Sequence, residues 1–519
     1  MTVEGDSIEV LSARYGNAYR WLVSLTVMSG AITLGFASSM VNVAVPSVMG
    51  AFGVGLDQAQ WMATGFLAAM SSSMLLSSWL IEVLGQRISY TLTLLVFGTG
   101  SILSATAPNN DVLILGRVLQ GVAAGIGQPL AMYSMFRVFP PERRGMAIGI
   151  YGLGSVLAPT FGPILGGIAI DSFSWRYLFL LPLPLCAPAL LMSQIFMPNK
   201  RMSGEPPPFD WTGLALIFTA MFILLSGLSN GPRMGWDSNF TMIRLFGGGG
   251  LLIAFTLWEL RATYPLLDLT LFRDRQFCLT MLAGFVFGAG LFSSSYFIPV
   301  FVQTIQNYSP TRAGFLLAPG GLVMMLFFPL AGRITDTIPA HIPIAAGLLI
   351  FSIGFFLIHA VDVNTTFFAL VAYTAINRVG LSLVIPSLNI AALRAVPPEK
   401  LSRGASCSTF FRNVGGGFGI TLLTAFLEHR TRFHGEAFTA TQTSANETTR
   451  SLLGAARQLL VESGPDATQT AGALNYLSQV IQAQAATLGF KDTFLAIAVV
   501  GAMAVGPAWL IGRSGRGDR

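Results

Sequence analysis

Apolar runs about twenty residues long, separated by polar breaks, fill the chain from residue 20 onward. A helix needs about 20 such residues to cross the hydrocarbon core of a bilayer. That ruler predicts spans near 20–46, 59–82, 88–107, 112–137, 145–169, 176–197 and 211–229. It continues with 241–260, 277–305, 312–333, 342–360, 365–393, 404–429 and 490–512, fourteen spans altogether. Two features break the regularity. Residues 430–489 are polar, but SLLGAARQLLV and ALNYLSQVIQAQAATLGF within them carry apolar residues at helical spacing, predicting surface helices outside the membrane. The pair 211–229 and 241–260 is set off by the linker NKRMSGEPPPFD and the basic stretch LFRDRQF.

Composition agrees with lipid as the solvent. The 519 residues are 53% hydrophobic and 10% charged, against about 25% charged in ordinary soluble domains. Charge then orients the spans. Arg87, Arg137, Arg144, Arg261, Arg273, Arg333, Arg394 and Arg403 fall in alternate breaks. Roughly 18 of the 30 basic residues lie on the side of the termini and about 9 on the other. This predicts an even number of spans with both termini in the cytoplasm. The formal net charge of +6 follows from the same bias and does not indicate nucleic acid. The opening MTVEGDSIEVLSARYGNAYR is polar and acidic, unlike a cleavable signal peptide.

Several chemistries are excluded as expectations. Cys186, Cys278 and Cys407 lie singly in apolar segments, and the four histidines are scattered, so neither a metal site nor a disulfide framework is expected. No nucleophile–base pair marks an enzyme, no cofactor is indicated, and no GxxxxGK[ST] loop points to ATP.

The chain echoes itself. SSWLIEVLGQR ends the second span and PLAGRITDTIP the tenth; each sets a small residue four before an acid, Ser78 with Glu82 and Gly332 with Asp336, near Gly85 with Arg87 and near Arg333. Two matches at corresponding places suggest a duplicated six-helix unit with the pair near 211–260 inserted between copies. The predicted organisation is a terminal segment 1–19, a bundle 20–197, the inserted pair with its linkers 198–276, a second bundle 277–513 and a tail 514–519.

The stretch GLGSVLAPTFGPILGG (152–167) combines lipid-level hydrophobicity with glycine and proline. Helices in lipid approach closely only through small residues. Gly154, Ala158, Gly162 and Gly166 form a small-residue ridge, Gly167 adds to it, and Pro159 and Pro163 each remove a backbone donor. With GRVLQG (Arg117, Gln120, Gly121), SSMVNVAVP (Asn42, Ala44, Pro46), SWRYLF, FDWTG and PLLDLTLF, it resembles the fourteen-helix drug:proton antiporter branch of the major facilitator superfamily, EmrB/QacA type. The resemblance implies two six-helix bundles plus two inserted helices, an all-α polytopic fold. It implies proton-driven export of small amphiphilic compounds from the cytoplasm, across the inner membrane, by alternating access, with the small-residue ridge of 152–167 sealing the outer part of the interface between the bundles and sliding against the opposite one. The long segment 430–489 resembles that of pumps working with a periplasmic adaptor and an outer-membrane channel. Uptake or facilitated transport of a small organic solute on the same fold is the alternative.

By that resemblance the substrate cavity is lined by spans one, four, nine and twelve. Asn42, Gln128, Tyr296, Gln303, Tyr373, Asn377, Arg378 and Asn389 are its candidates, with Arg412 a further buried-span arginine. Arg117, Arg378 and Arg412 lie inside spans, where charge costs about 2.5–3.5 kcal/mol on insertion scales. Each must face a cavity or partner, or tie helices together through backbone carbonyls. Arg117 matches the family arginine credited with a part in proton transfer. Where many relatives carry a first-helix aspartate this chain has Ala37. Asp171 and Glu428, near outer span ends, and the Arg117–Gln120 neighbourhood remain to exchange protons. A cavity holding arginines and no central carboxylate is expected to disfavour cations.

Overall fold

The computed structural model describes residues 7–140, 144–199, 208–397, 400–443, 445–459 and 466–514. The first six residues, the centre of the linker at 200–207, residues 460–465 of the polar segment, and 515–519 of the tail lie outside that description, as does the side chain of Asp336.

The described chain is helical throughout. The helices are α1 (Ile8–Tyr15), α2 (Tyr19–Ser39), α3 (Val41–Phe52), α4 (Leu56–Ala59), α5 (Trp61–Met74), α6 (Ser77–Ala105) and α7 (Asn110–Val138). There follow α8 (Arg144–Ser172), α9 (Tyr177–Leu180), α10 (Leu183–Phe196), α11 (Trp211–Met234), α12 (Asn239–Glu259) and α13 (Arg275–Thr304). The rest are α14 (Pro310–Thr337), α15 (His341–His359), α16 (Phe367–Arg394), α17 (Leu401–Thr441), α18 (Glu447–Leu459), α19 (Asp466–Met503) and α20 (Val505–Ser514).

Each of the fourteen expected spans falls on helix, and 12 helices among the described residues are long and apolar enough to cross a membrane. The spans at 59–82 and 88–107 meet inside α6 at Gly85, whose φ of 78° and ψ of 169° break the helix. Only glycine adopts that backbone without a Cβ penalty, so the short break between these spans depends on it. The outer face of α12 confirms lipid as solvent, for Phe246 is 74% and Ile243 70% exposed. No water-facing helix keeps so continuous an apolar surface.

Two copies of one packing scheme build the core. In the first, α2 packs on α7, α8 and α10, while α5 and α6 pack on α7 and α10 packs on α6. In the second, α13 packs on α16, α17 and α20, while α14 and α15 pack on α16 and α19 packs on α15. Corresponding helices make corresponding contacts, as the echo of Ser78 with Glu82 in Gly332 with Asp336 implied. The halves meet along two seams, α8 against α14 and α5 against α17, with α3 touching α13 between them. The fifth helix of each half thus lies on the second helix of the other. The inserted α11 covers the α5/α17 seam. There Ser229 receives hydrogen bonds from Gln60 (2.8 Å) and Trp61 (3.2 Å) and donates to the carbonyl of Asp57 (2.9 Å).

The two faces of the molecule differ. One, the terminal face, gathers both chain ends: Tyr15 packs edge-on against Phe196, and Trp509 against His341. The other, the loop face, carries residues 430–489. There α17 runs on to Thr441 and α19 starts at Asp466, with α18 packed on α19. On the terminal face Asp268 receives hydrogen bonds from Thr270 and pairs with Lys400 at 2.7 Å and Arg403 at 3.3 Å. Burial works to raise this carboxyl, but the hydrogen bonds from Lys400 and Thr270, with the Lys400 charge, outweigh it and hold the group down at about 2. The PLLDLTLF motif therefore straps the inserted pair to the start of α17.

Candidate functional site at the seams

The small-residue ridge of α8 meets its own half. A Cβ on Gly154 would strike Met28, one on Gly162 would strike Ser39, and one on Gly166 would meet Met40 and Leu178. Ser39 donates to the carbonyl of Ala158 at 3.0 Å. The face turned to the opposite half is a different one, made of Thr160, Pro163 and Gly167. A Cβ on Gly167 would overlap the backbone of Pro310 and Thr311, one on Gly314 the backbone of Pro163, and one on Gly321 would lie 2.7 Å from the Thr160 Cα. Glycine faces backbone from both sides of this seam, so the helices touch main chain to main chain. Pro159 is exposed and Pro163 buried, and both stand inside the helix.

Both seams end on the loop face in a carboxylate. Asp171, next to the last residue of α8, accepts a hydrogen bond from the backbone N–H of Thr311 at 2.9 Å. Thr311 is the second residue of α14, where backbone donors lack intrahelical partners. Glu428 of α17 accepts from the backbone N–H of Asp57 at 3.1 Å, and Asp57 is the second residue of α4, leading into α5. In each case the fifth helix of one half places an acid on the N-terminus of the second-helix segment of the other. The helix dipole strengthens both contacts while the acid is charged. A third link joins the halves on this face, from Gln303 of α13 to the carbonyl of Val43 of α3 at 3.0 Å. Asp171 is exposed, Glu428 half-buried.

Arg117 is sealed inside the first half at 0% exposure. Its guanidinium donates to the carbonyls of Met62 (2.8 Å) and Ala37 (2.9 Å) and to Gln120 (2.6 Å), and it lies over the Phe66 ring at 4.3 Å. Gln120 donates in turn to Ser101. The arginine thus ties α2, α5, α6 and α7 together, and one of its acceptors is the carbonyl of Ala37. Arg378 is 9% exposed, donates to Ser295 at 3.2 Å and lies against Gly320. Arg117 and Arg378 are both buried, whereas Arg412, the third arginine of the expected cavity, is half-buried.

The other cavity candidates separate. Asn377 is fully buried with its amide unpartnered and packs on Gly354 of α15, inside the second half. Tyr296 is fully buried, its hydroxyl likewise without a partner. Asn42 is buried, Gln128, Tyr373 and Arg412 are half-buried, and Asn389 is exposed. The backbone of Arg412 lies against Gly288. At the terminal face Ser78 and Glu82 are exposed, Arg87 donates to the carbonyl of Met197 at 2.9 Å, and Gly332 has open space around it. Sequence reasoning missed Asp57, Thr311, Gly314, Gly321 and Ser229. Pro310 after Ser309 is a helix-start signal that would have flagged the free N–H of Thr311.

The family model described as Major Facilitator Superfamily matches residues 27–420. Among curated proteins, the chain is 31% identical to the multidrug transporter protein MdtP of Bacillus subtilis, over 76% of this chain and 72% of that one. It is 29% identical to the multidrug export protein EmrB of Haemophilus influenzae, over 88% and 89%. Among solved structures, it superposes on a bacterial homolog of the human lysosomal transporter Spinster, inward-facing and unoccupied, with a TM-score of 0.63. That match has 15% identity and covers 97% of this chain and 99% of that one. A POT family transporter in complex with 5-aminolevulinic acid matches with a TM-score of 0.66 at 14% identity, over 96% and 97%.

Proposed function

This chain belongs to the major facilitator superfamily, and from that premise we propose that it exports small amphiphilic compounds of varied structure by alternating access, driven by protons. Relatives named as multidrug transporters, one of them matched over nearly its whole length, support the choice of substrate class. The observation that carries the mechanism is the pair of matched seams. Each sets main chain against main chain or seals under α11, and each is fastened at the loop face by one carboxylate. The moving units are 20–197 and 277–513, and 198–276 is the insertion that rides on the α5/α17 seam.

The basic bias of the terminal face supports an orientation with both termini in the cytoplasm and the loop face outside, in an inner membrane. Protons arriving from outside then reach Asp171 and Glu428 first. Neutralising them weakens both latches and favours opening to the outside; deprotonation favours closure. This supplies a coupling route without a first-helix acid. Arg117 and Gln120 act as the rigid knot of the first half, holding α2, α5, α6 and α7 as one body while the seams part. The projecting helices α17 to α19 offer a docking platform for a periplasmic adaptor leading to an outer-membrane channel.

The test is export into everted vesicles across a panel of amphiphiles, with and without a pH gradient, for the native chain and for Asp171→Asn with Glu428→Gln. Gradient-dependent accumulation that the double variant uncouples is expected. Uptake into right-side-out vesicles with no export would overturn the reading.

A further inference from the structure

A cavity of about 1270 Å³ lies on the loop face, walled by both halves and roofed by the projecting helices. Its deepest charged groups are Asp57, 8% exposed, and Glu428. Leu427 and Val300 form one apolar wall, Met49 the facing one, and Leu477 and Ile481 of α19 the roof. The volume exceeds that of ordinary drug-sized sites, roughly 300–1,000 Å³, and the lining sets apolar side chains beside the charged Asp57, Arg233, Glu428, Arg432 and Glu436.

We propose that this cavity is a binding site for amphiphilic amines, the protonated nitrogen seated at Asp57 and Glu428 and the apolar body against the α19 roof. Three observations support that occupant. Two acids from opposite halves stand close enough that a backbone N–H of one is hydrogen-bonded by the other. Like charges so placed repel, and a cation between them removes the cost. Glu428 spends one acceptor position on Asp57, while a carboxylate has about four. Of the lining arginines, Arg432 donates to the carbonyl of Pro232 at 2.9 Å and Arg233 is exposed; both act on Glu428, but each less than the Asp57 charge does. The roof also gives the 430–489 helices a role that the transmembrane architecture does not need. Lying outside the sealed part of the seams, the site is where an exported amine dwells before release; that role rests on the export reading, whereas binding itself does not.

The test is equilibrium binding of rhodamine 6G, a cationic amine dye, to the purified full-length protein in lipid nanodiscs, followed by fluorescence polarisation. The anionic dye anilinonaphthalene sulfonate is the comparison. Glu428→Gln, which removes the charge, and Leu477→Trp, which fills the roof, are each expected to weaken rhodamine binding by about tenfold or more. Gly250→Ala, on the open surface of α12, should leave it unchanged. Native affinity in both Glu428→Gln and Leu477→Trp overturns the site, as does anionic dye binding that falls in parallel. Vesicle export measured on the same proteins separates the two proposals. Binding with no export of any compound refutes the transport reading alone; export with binding insensitive to both substitutions refutes the site alone.

Discussion

Replacing the two latch acids with their neutral isosteres, Asp171→Asn and Glu428→Gln, should open the loop face at neutral pH. The amide oxygens still accept the N–H bonds of Thr311 and Asp57, so shape is kept and charge is lost. A hydrogen bond to a charged group contributes roughly 1.5–3 kcal/mol and a neutral one about 0.5–1.5. The difference at Glu428 is therefore of order 1 kcal/mol, and its half-buried setting keeps solvent from screening all of it. One kcal/mol moves a two-state population about fivefold. Asp171 is exposed and should add in the same direction by less. The assay is pulsed electron resonance between spin labels at Thr106→Cys and Val363→Cys, at loop-face ends of opposite halves, with the native cysteines replaced. The native protein should show a short-distance majority at pH 8 and gain a longer component as pH falls, because protonation removes the charge from the Glu428 latch. The double variant should show the longer component at pH 8 and respond little to acid. A distance distribution identical in native and variant protein at every pH would refute the latch.

Gly167→Leu or Gly314→Leu wedges the α8/α14 seam, where even a Cβ overlaps backbone; transport should fall by more than about tenfold and the long-distance component grow, while Gly247→Leu, with open space around it, should do neither. Arg117→Gln removes the charge-assisted hydrogen bonds to the carbonyls of Met62 and Ala37, a loss of roughly 1.5–3 kcal/mol each, visible as a lower melting temperature in detergent and not merely as slower export. Asp268→Asn should cost roughly 1 kcal/mol after allowing for the exposure of Lys400 and Arg403. Because that carboxyl is held at about 2 when folded and near 3.9 in an unfolded chain, its contribution is complete above about pH 4 and disappears as pH falls through about 2. Thermal melts from pH 6 to pH 2 should therefore lose the native–variant difference only at the acid end.

The apolar runs alone determined the span number, because a bilayer admits only helices of a set length whose backbone bonds close internally. They also placed the break at Gly85, since a positive φ there needs the residue that lacks a Cβ. The pairing of Arg117 with Gln120 was readable too, for residues three apart share a helix face. The ridge of Gly154, Ala158, Gly162 and Gly166 was legible as a close-packing surface, but the expectation that it slides against the opposite half is corrected: it packs on Met28, Ser39 and Met40 of its own half. Only the assembled bundle assigned that ridge to α2 and gave Thr160, Pro163 and Gly167 to the opposite half. The equivalence of Asp171 and Glu428 was likewise beyond the sequence, although both acids stood out as candidates. Their partners are backbone N–H groups of Thr311 and Asp57, identical in kind at every helix start, so no side-chain pattern encodes them. Asn377 and Tyr296 were polar in apolar spans and read as cavity residues; the sequence did not show that both would be fully buried, Asn377 against Gly354 of α15. Hydropathy sets how often a chain crosses the membrane, whereas which faces meet depends on close packing among helices hundreds of residues apart.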